Sequence, residues 1–162
     1  MVGSDSVLSS DDANAVSEIG IELAALTAPL QTWWSTLNDP AVSSGDWLQR
    51  APSLLAQMRS GVDRIESRLG PGRDIHVRGT FEAYVTRWRE IIAALDRLRD
   101  RVAASDEPGQ EQAVSTYNNA LAAIRALDAA RVQRVVAVYG QDDARRLLTE
   151  QGIDPAEFGL GN

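Results

Sequence analysis

The chain has 162 residues, 44% hydrophobic and 24% charged, which suffices for the core of one ordinary soluble domain. A net charge of -7 at pH 7 opposes a phosphate backbone and argues against nucleic acid as a partner. With no cysteine, disulfide frameworks, thiolate nucleophiles and cysteine-ligated zinc are excluded, and no compartment is indicated.

Lysine is absent and every long cationic side chain is arginine, as codon bias in a GC-rich genome would produce. The opening "MVGSDSVLSS" has neither a basic n-region nor an apolar h-region, and its first dozen polar residues are expected to fray. Nowhere do about 18 apolar residues run together, so a soluble chain without a membrane span is expected, with the cytoplasm favoured and export open.

Apolar residues then recur three and four apart, the mark of a heptad seam. Val16, Ile19, Leu23, Leu26, Leu30, Trp33 and Leu37 give a first helix over about 11–38. Pro29 falls inside that seam, removes a backbone hydrogen bond and predicts a kink. Leu48, Ala51, Leu55, Met58, Val62, Ile65 and Leu69 give a second helix over about 47–69. Pro52 is expected to open it after a loose turn holding Trp47 and Leu48.

Val77, Phe81, Tyr84, Trp88, Ile91, Leu95, Leu98 and Val102 give a third helix, 74–104. The fourth, 109–139, carries Val114, Tyr117, Leu121 and Ile124, meets Asp128 and Arg131, and resumes at Val135 and Val138. The connectors "NDPAVSSGD", "GPGRD" and "SDEPGQE" are rich in turn and capping residues. Short connectors and a period of about 3.5 predict an all-α, up-down-up-down antiparallel four-helix bundle over 1–140. Residues 141–162 are expected to form a short helix plus a C-terminal tail that docks through Ile153, Phe158 and Leu160 or stays free.

Folding the third helix onto the fourth pairs Leu98 with Tyr117, Leu95 with Leu121 and Ile91 with Ile124. Trp88 then comes level with Asp128, Tyr84 with Arg131, and Phe81 with Val135. The indole N–H and the phenol could serve the two polar residues, and Asp128 could pair with Arg131. The first reading is a structural polar layer that fixes register. The second is a ligand site built from the same donors and acceptors. A slight rotation would instead turn Leu127 and Val132 inward and leave Asp128 at the rim.

Trp33, Trp34, Trp47 and Tyr117 gather at the kinked end, with only Ala51 opposite Trp33. The rings either fill that end or line an apolar pocket, for which Trp33, Trp88, Tyr117, Asp128 and Arg131 are the candidates. Trp34 and Trp47 flank a loop and are the candidate partner-binding anchors.

Nothing indicates catalysis. His76 is the only histidine and cannot supply the Glu-x-x-His pairs of a di-iron bundle. Glu18 and Glu22 share a helix face without a matching pair opposite, the serines lack a triad context, and Gly70-Pro71-Gly72 is a turn rather than a phosphate cradle. No cofactor and no metal are expected.

"TFEAYVTRWREIIAALDRLRDRVA" resembles the second helix of the small helical-hairpin substrates of type VII secretion, the WXG100 group. "YGQDD" fits their Tyr-x-x-x-Asp/Glu signal through Tyr139 and Asp143. The resemblance implies an exported helical protein. The chain departs from it in having "GPGRD" where the family has Trp-x-Gly, and four long helices rather than two.

The expected function is therefore non-enzymatic: protein–protein interaction through the tryptophan-bearing end or the C-terminal tail. The alternative is binding of a small apolar or aromatic ligand at the kinked end. An obligate homo-oligomer is the third possibility; the sequence leaves monomer against oligomer, and the identity of the partner, open.

Overall fold

A computed structural model describes residues 8–160. Those residues are all-helical: α1 (Ser10–Ala25), α2 (Thr27–Leu37), α3 (Ser44–Ser67), α4 (Ile75–Ala103), α5 (Glu107–Glu150) and a 3-10 turn at Pro155–Phe158. Four rods pack against one another, with α1 and α2 acting as a single bent rod. No described helix is long and apolar enough to cross a membrane.

Side-chain caps set where the helices begin. Ser9 accepts from the Asp12 amide and Ser43 from the Asp46 amide, each at 3.1 Å. Asp74 accepts from the His76 and Val77 amides, and Asp106 from that of Gly109. Each such cap satisfies an N–H that the helix itself leaves unpaired, typically for about 1 kcal/mol.

The Ser43 cap corrects the expected second helix. It starts α3 at Ser44, so Trp47 and Leu48 lie in the first turns of a helix and not in a loose loop, and Pro52 stands inside that helix. Pro29 acts as expected. It is the third residue of α2, and its missing N–H and bulky ring break the rod at Leu26, one turn earlier.

Ion pairs record how the rods lie together. Glu18 meets Arg68 at 2.8 Å and Glu22 meets Arg64 at 3.1 Å, a two-rung ladder between α1 and α3. Between α3 and α4, Arg59 meets Asp96, and Asp63 and Glu66 both meet Arg89. Arg134 donates to Thr80 at 3.2 Å between α4 and α5. Between α1 and α3, and between α3 and α4, the numbers rise along one helix as they fall along the other. The Trp34–Tyr117 contact joins α2 to α5, while Gly20 and Gln151 join α1 to the end of α5.

Inside lie the heptad residues. Ile19, Trp33, Ala51, Leu55, Met58, Val62, Ile91 and Leu95 are fully enclosed. A second, smaller cluster of Val132, Ala144, Leu148 and Ile153 forms around the C-terminal segment, with Val135, Val136, Phe158 and Leu160 packed on it.

That segment follows a break in α5. Gly140 has φ 80 and ψ 167, a conformation open essentially to glycine alone, and it redirects residues 141–150 back along the bundle. The helix then ends in a Schellman motif. The Ile153 amide donates to the Leu148 carbonyl and the Gly152 amide to that of Thr149, with Gly152 left-handed at φ 78. The tail is thus docked, through Ile153 and the half-buried Phe158 and Leu160.

Gly20 and Ala24 on α1 make room for it. A Cβ on Gly20 would lie 2.8 Å from the Gln151 carbonyl oxygen, and one on Gly152 would lie 2.6 Å from the Ala24 Cβ. The arm and α1 therefore meet nearly backbone to backbone.

Candidate functional site

The polar interruption of α5 is a connected network spanning three elements. The Tyr84 hydroxyl on α4 donates to Asp128 Oδ1 at 2.5 Å. Arg131 Nη1 donates to the Tyr84 oxygen at 3.4 Å, and Nη2 donates to Gln151 Oε1 at 2.6 Å. Its guanidinium carbon lies 5.1 Å from the Phe81 ring centre and 5.3 Å from that of Tyr84, within cation–π range.

Two expectations change here. Trp88 is buried but makes no hydrogen bond to Asp128; Tyr84 serves both polar residues instead. The phenol reaches farther than equal heptad spacing suggests and stands between the two levels. Arg131 and Val132 are also both buried, which a single inward stripe does not allow. The docked arm gives α5 a second covered face, so Arg131 points toward α4 and Val132 toward the arm's cluster. Asp128, with 27% of its side chain exposed, takes the rim.

Burial raises the Tyr84 phenol well above its ordinary value; the Arg131 charge opposes this and Asp128 adds to it. The hydroxyl is thus held as a donor. Burial also raises the Asp128 carboxyl above the ordinary 3.8, against the Tyr84 hydrogen bond and the Arg131 charge. The native chain therefore takes up this proton more readily than the unfolded chain does. On this count stability grows as pH falls through the raised value toward 3.8, and is lost as pH rises back through it. Urea unfolding of wild type and Asp128→Asn between about pH 7 and about pH 4 should show the wild type gaining on the variant toward acid. A constant gap would mean that Asp128 is not desolvated.

At the other end, Trp33 and Trp47 are 0% and 1% exposed and stack edge to face, with ring centres 4.9 Å apart. The Trp47 indole donates to the Trp33 carbonyl at 3.3 Å. The expectation of an exposed Trp47 is thus corrected: its place in the first turn of α3 swings the ring inward. Trp34 is half-buried, its ring 5.0 Å from the Tyr117 ring. The indole nitrogens of Trp33 and Trp34 are buried without an acceptor.

Ala51, one turn after Trp47 on α3, is itself fully buried. Two surface grooves are found outside these rings. One, of about 590 Å³, is bordered by Asp11, Asp12, Glu18, Pro71 and Arg73, and the other, of about 430 Å³, runs along the helix break past Leu26, Pro29, Ala56 and Gly61. Neither is lined by Trp33, Trp88, Tyr117, Asp128 or Arg131. Four of the five pocket candidates divide between two places in the molecule, Trp33 and Tyr117 at one and Asp128 and Arg131 at the other, and the fifth, Trp88, is buried in the main core.

His76 is exposed at the start of α4, and Glu18 and Glu22 are committed to α3 arginines. Among the described residues no group of three or more His, Asp or Glu side chains is gathered as a metal site. Tyr139 and Asp143 are both exposed, but the non-helical Gly140 falls between them, so they do not share one continuous helix face.

One surface feature escaped the heptad reading. From Leu23 to Asn38, and again from Gln112 to Ile124, the chain carries no charged residue. The Trp34–Tyr117 contact joins these stretches at one point. The exposed residues there are Thr27, Ala28, Gln31, Thr32 and Ser35 on α2, and Gln112, Ser115, Thr116, Asn118, Asn119 and Ala122 on α5. The two uncharged runs were its signal in the sequence, invisible to an averaged composition. No known protein family, curated protein or solved structure matches the chain.

Proposed function

We propose that the chain is an up-down-up-down four-helix bundle with no enzymatic role, acting by protein–protein interaction through the uncharged α2/α5 face around Trp34. The observation that carries this reading is the charge-free band itself, in a chain of which 24% is charged. A solvated helix face is normally dressed with charge, whereas the centres of protein interfaces are depleted in it. Removing water from Thr, Ser, Asn and Gln is far less costly than stripping an ion, and their hydrogen bonds can be remade across an interface. Trp34, half-covered by Tyr117, supplies the rigid apolar anchor.

This reading keeps Trp34 from the sequence-based pair and drops Trp47, whose ring is in the core. A ligand pocket at the kinked end is less favoured, because the groove along the helix break is bordered by Glu22, Gln57, Ser60 and Arg64 and by none of the aromatic candidates.

The test is quantitative affinity capture with the full chain and two variants, Thr32→Arg and Asn119→Arg. Both positions are exposed, so neither change disturbs the core. Each should lower recovery of a specific partner about tenfold or more, the loss of roughly 1.4 kcal/mol, with helicity by circular dichroism unchanged. Equal recovery by all three chains would refute the assignment of this face.

A further inference from the structure

We infer that the C-terminal arm, residues 141–160, is exchangeable, and that the partner it fits is a second copy of this chain. The inference is independent of the uncharged α2/α5 face and rests on the opposite end of the molecule.

Three observations converge there. The first is the hinge. Gly140 alone bends α5, and a Cβ placed on it would meet nothing, so no contact at the hinge itself locks the bend and the closed state rests on the arm's docking. Rotating this one residue to helical φ and ψ would make α5 continuous over its 44 residues, roughly 66 Å long, with the arm projecting from the bundle. Neither state is strongly favoured locally, because a glycine inside a helix costs only about 1 kcal/mol against alanine.

The second is the receptor for the arm. The arm packs in a cluster of its own, Val132, Ala144, Leu148 and Ile153, separate from the main core. Its polar tie is the Arg131–Gln151 hydrogen bond, and its close fit is Gly152 against Gly20 and Ala24. This cradle selects a helix end with Leu, Gln, Gly and Ile at the positions of Leu148, Gln151, Gly152 and Ile153. A second copy's arm carries that sequence by definition, so the packing and hydrogen bonding broken when the arm opens are remade when it exchanges.

The third is what the closed monomer leaves uncovered. Val138 and Tyr139, immediately before the hinge, are each 48% exposed, and Ile75 is 74% exposed. The register set by Thr80 and Arg134 places Ile75 level with Tyr139. Two straightened α5 helices from exchanging chains would cross at this point, where Gly140 permits close approach and the apolar residues gain cover. Exchange of this kind is a low-cost route to a dimer because most of its interface already exists in the monomer.

The absence of cysteine makes the test direct. In the full chain, Val136→Cys, before the hinge, is paired with Phe158→Cys on the arm; both are partly buried members of the arm's cluster, and the Gly20 contact and the Arg131–Gln151 bond are left intact. The protein is refolded at low and at high concentration, separated by sedimentation, treated with a short bismaleimide cross-linker and run on a denaturing gel. The species of twice 17.6 kDa should yield cross-links between chains, and the monomer cross-links within a chain. Gly140→Ala, which disfavours the bend, should raise the dimer association constant about tenfold or more, equivalent to at least roughly 1.4 kcal/mol. If that variant fails to fold, the cysteine pair with Gly140 retained decides. Cross-links only within chains at every concentration, a dimer without cross-chain links, or a folded Gly140→Ala chain that stays monomeric would overturn the proposal.

Discussion

Trp33→Ala should lower the unfolding free energy by about 3–5 kcal/mol, the range for emptying a large buried aromatic site. Trp33 is fully buried and meets Trp47 edge to face. Trp47 is not free to swing into the void, since its indole is held by its bond to the Trp33 carbonyl. Trp33→Phe should cost about 2 kcal/mol less than the alanine variant. It keeps a ring in place and removes an indole N–H that has no acceptor. Urea unfolding followed by circular dichroism measures both. Equal losses would show that the indole N–H is satisfied, or that ring packing at this end contributes little.

Breaking the polar network from one side should be nearly as damaging. Asp128→Leu leaves the 8%-exposed Arg131 with only the neutral Tyr84 oxygen and the Gln151 amide oxygen as partners. Arg131→Met leaves a desolvated carboxylate with one phenol donor and strips the cation from between Phe81 and Tyr84. Each should cost about 2–3 kcal/mol, below the full value for a buried pair because Asp128 keeps some contact with water. The double variant should cost less than either single change, since an apolar pair of similar volume asks for no counter-charge. A double-mutant cycle by urea unfolding reads this coupling directly, and additive losses would mean that the two residues act separately.

Much of this architecture was legible in the sequence. Alternate three- and four-residue spacing located the rods, because burial on one side of a helix leaves that signature at whatever level the helix packs. Gly140 and Pro29 were visible as breaks, because the backbone freedom of glycine and the fixed φ and missing N–H of proline act locally. The start of α3 was misplaced because the Ser43 cap outweighs Pro52, which sits on the exposed side of the helix. That misplacement carried Trp47 to the surface on paper when its ring belongs inside.

The polar pair at Asp128 and Arg131 stood out as an interruption, but its partners did not. A heptad ladder gives levels along two helices and says nothing of reach, so it assigned Trp88 to Asp128 where Tyr84 serves. It is also blind to an arm that returns from beyond a hinge, and Gln151 could not be foreseen as the acceptor for Arg131. The uncharged α2/α5 band went unnoticed for a different reason: periodicity finds the buried side of a helix, and this feature lies on the outer one.

The central claim is that one arginine joins α4, α5 and the C-terminal arm within a single chain. Arg131 is therefore the residue to observe, by nuclear magnetic resonance of its guanidinium N–H groups in the full-length protein at neutral pH. Slowly exchanging Nη signals are predicted, with cross-relaxation to the ring protons of Phe81 and Tyr84 and to the Gln151 side chain, and with sharp loss of the last in Gln151→Ala. Guanidinium signals that exchange as fast as those of the exposed Arg125 and show no contact with either ring would contradict the account.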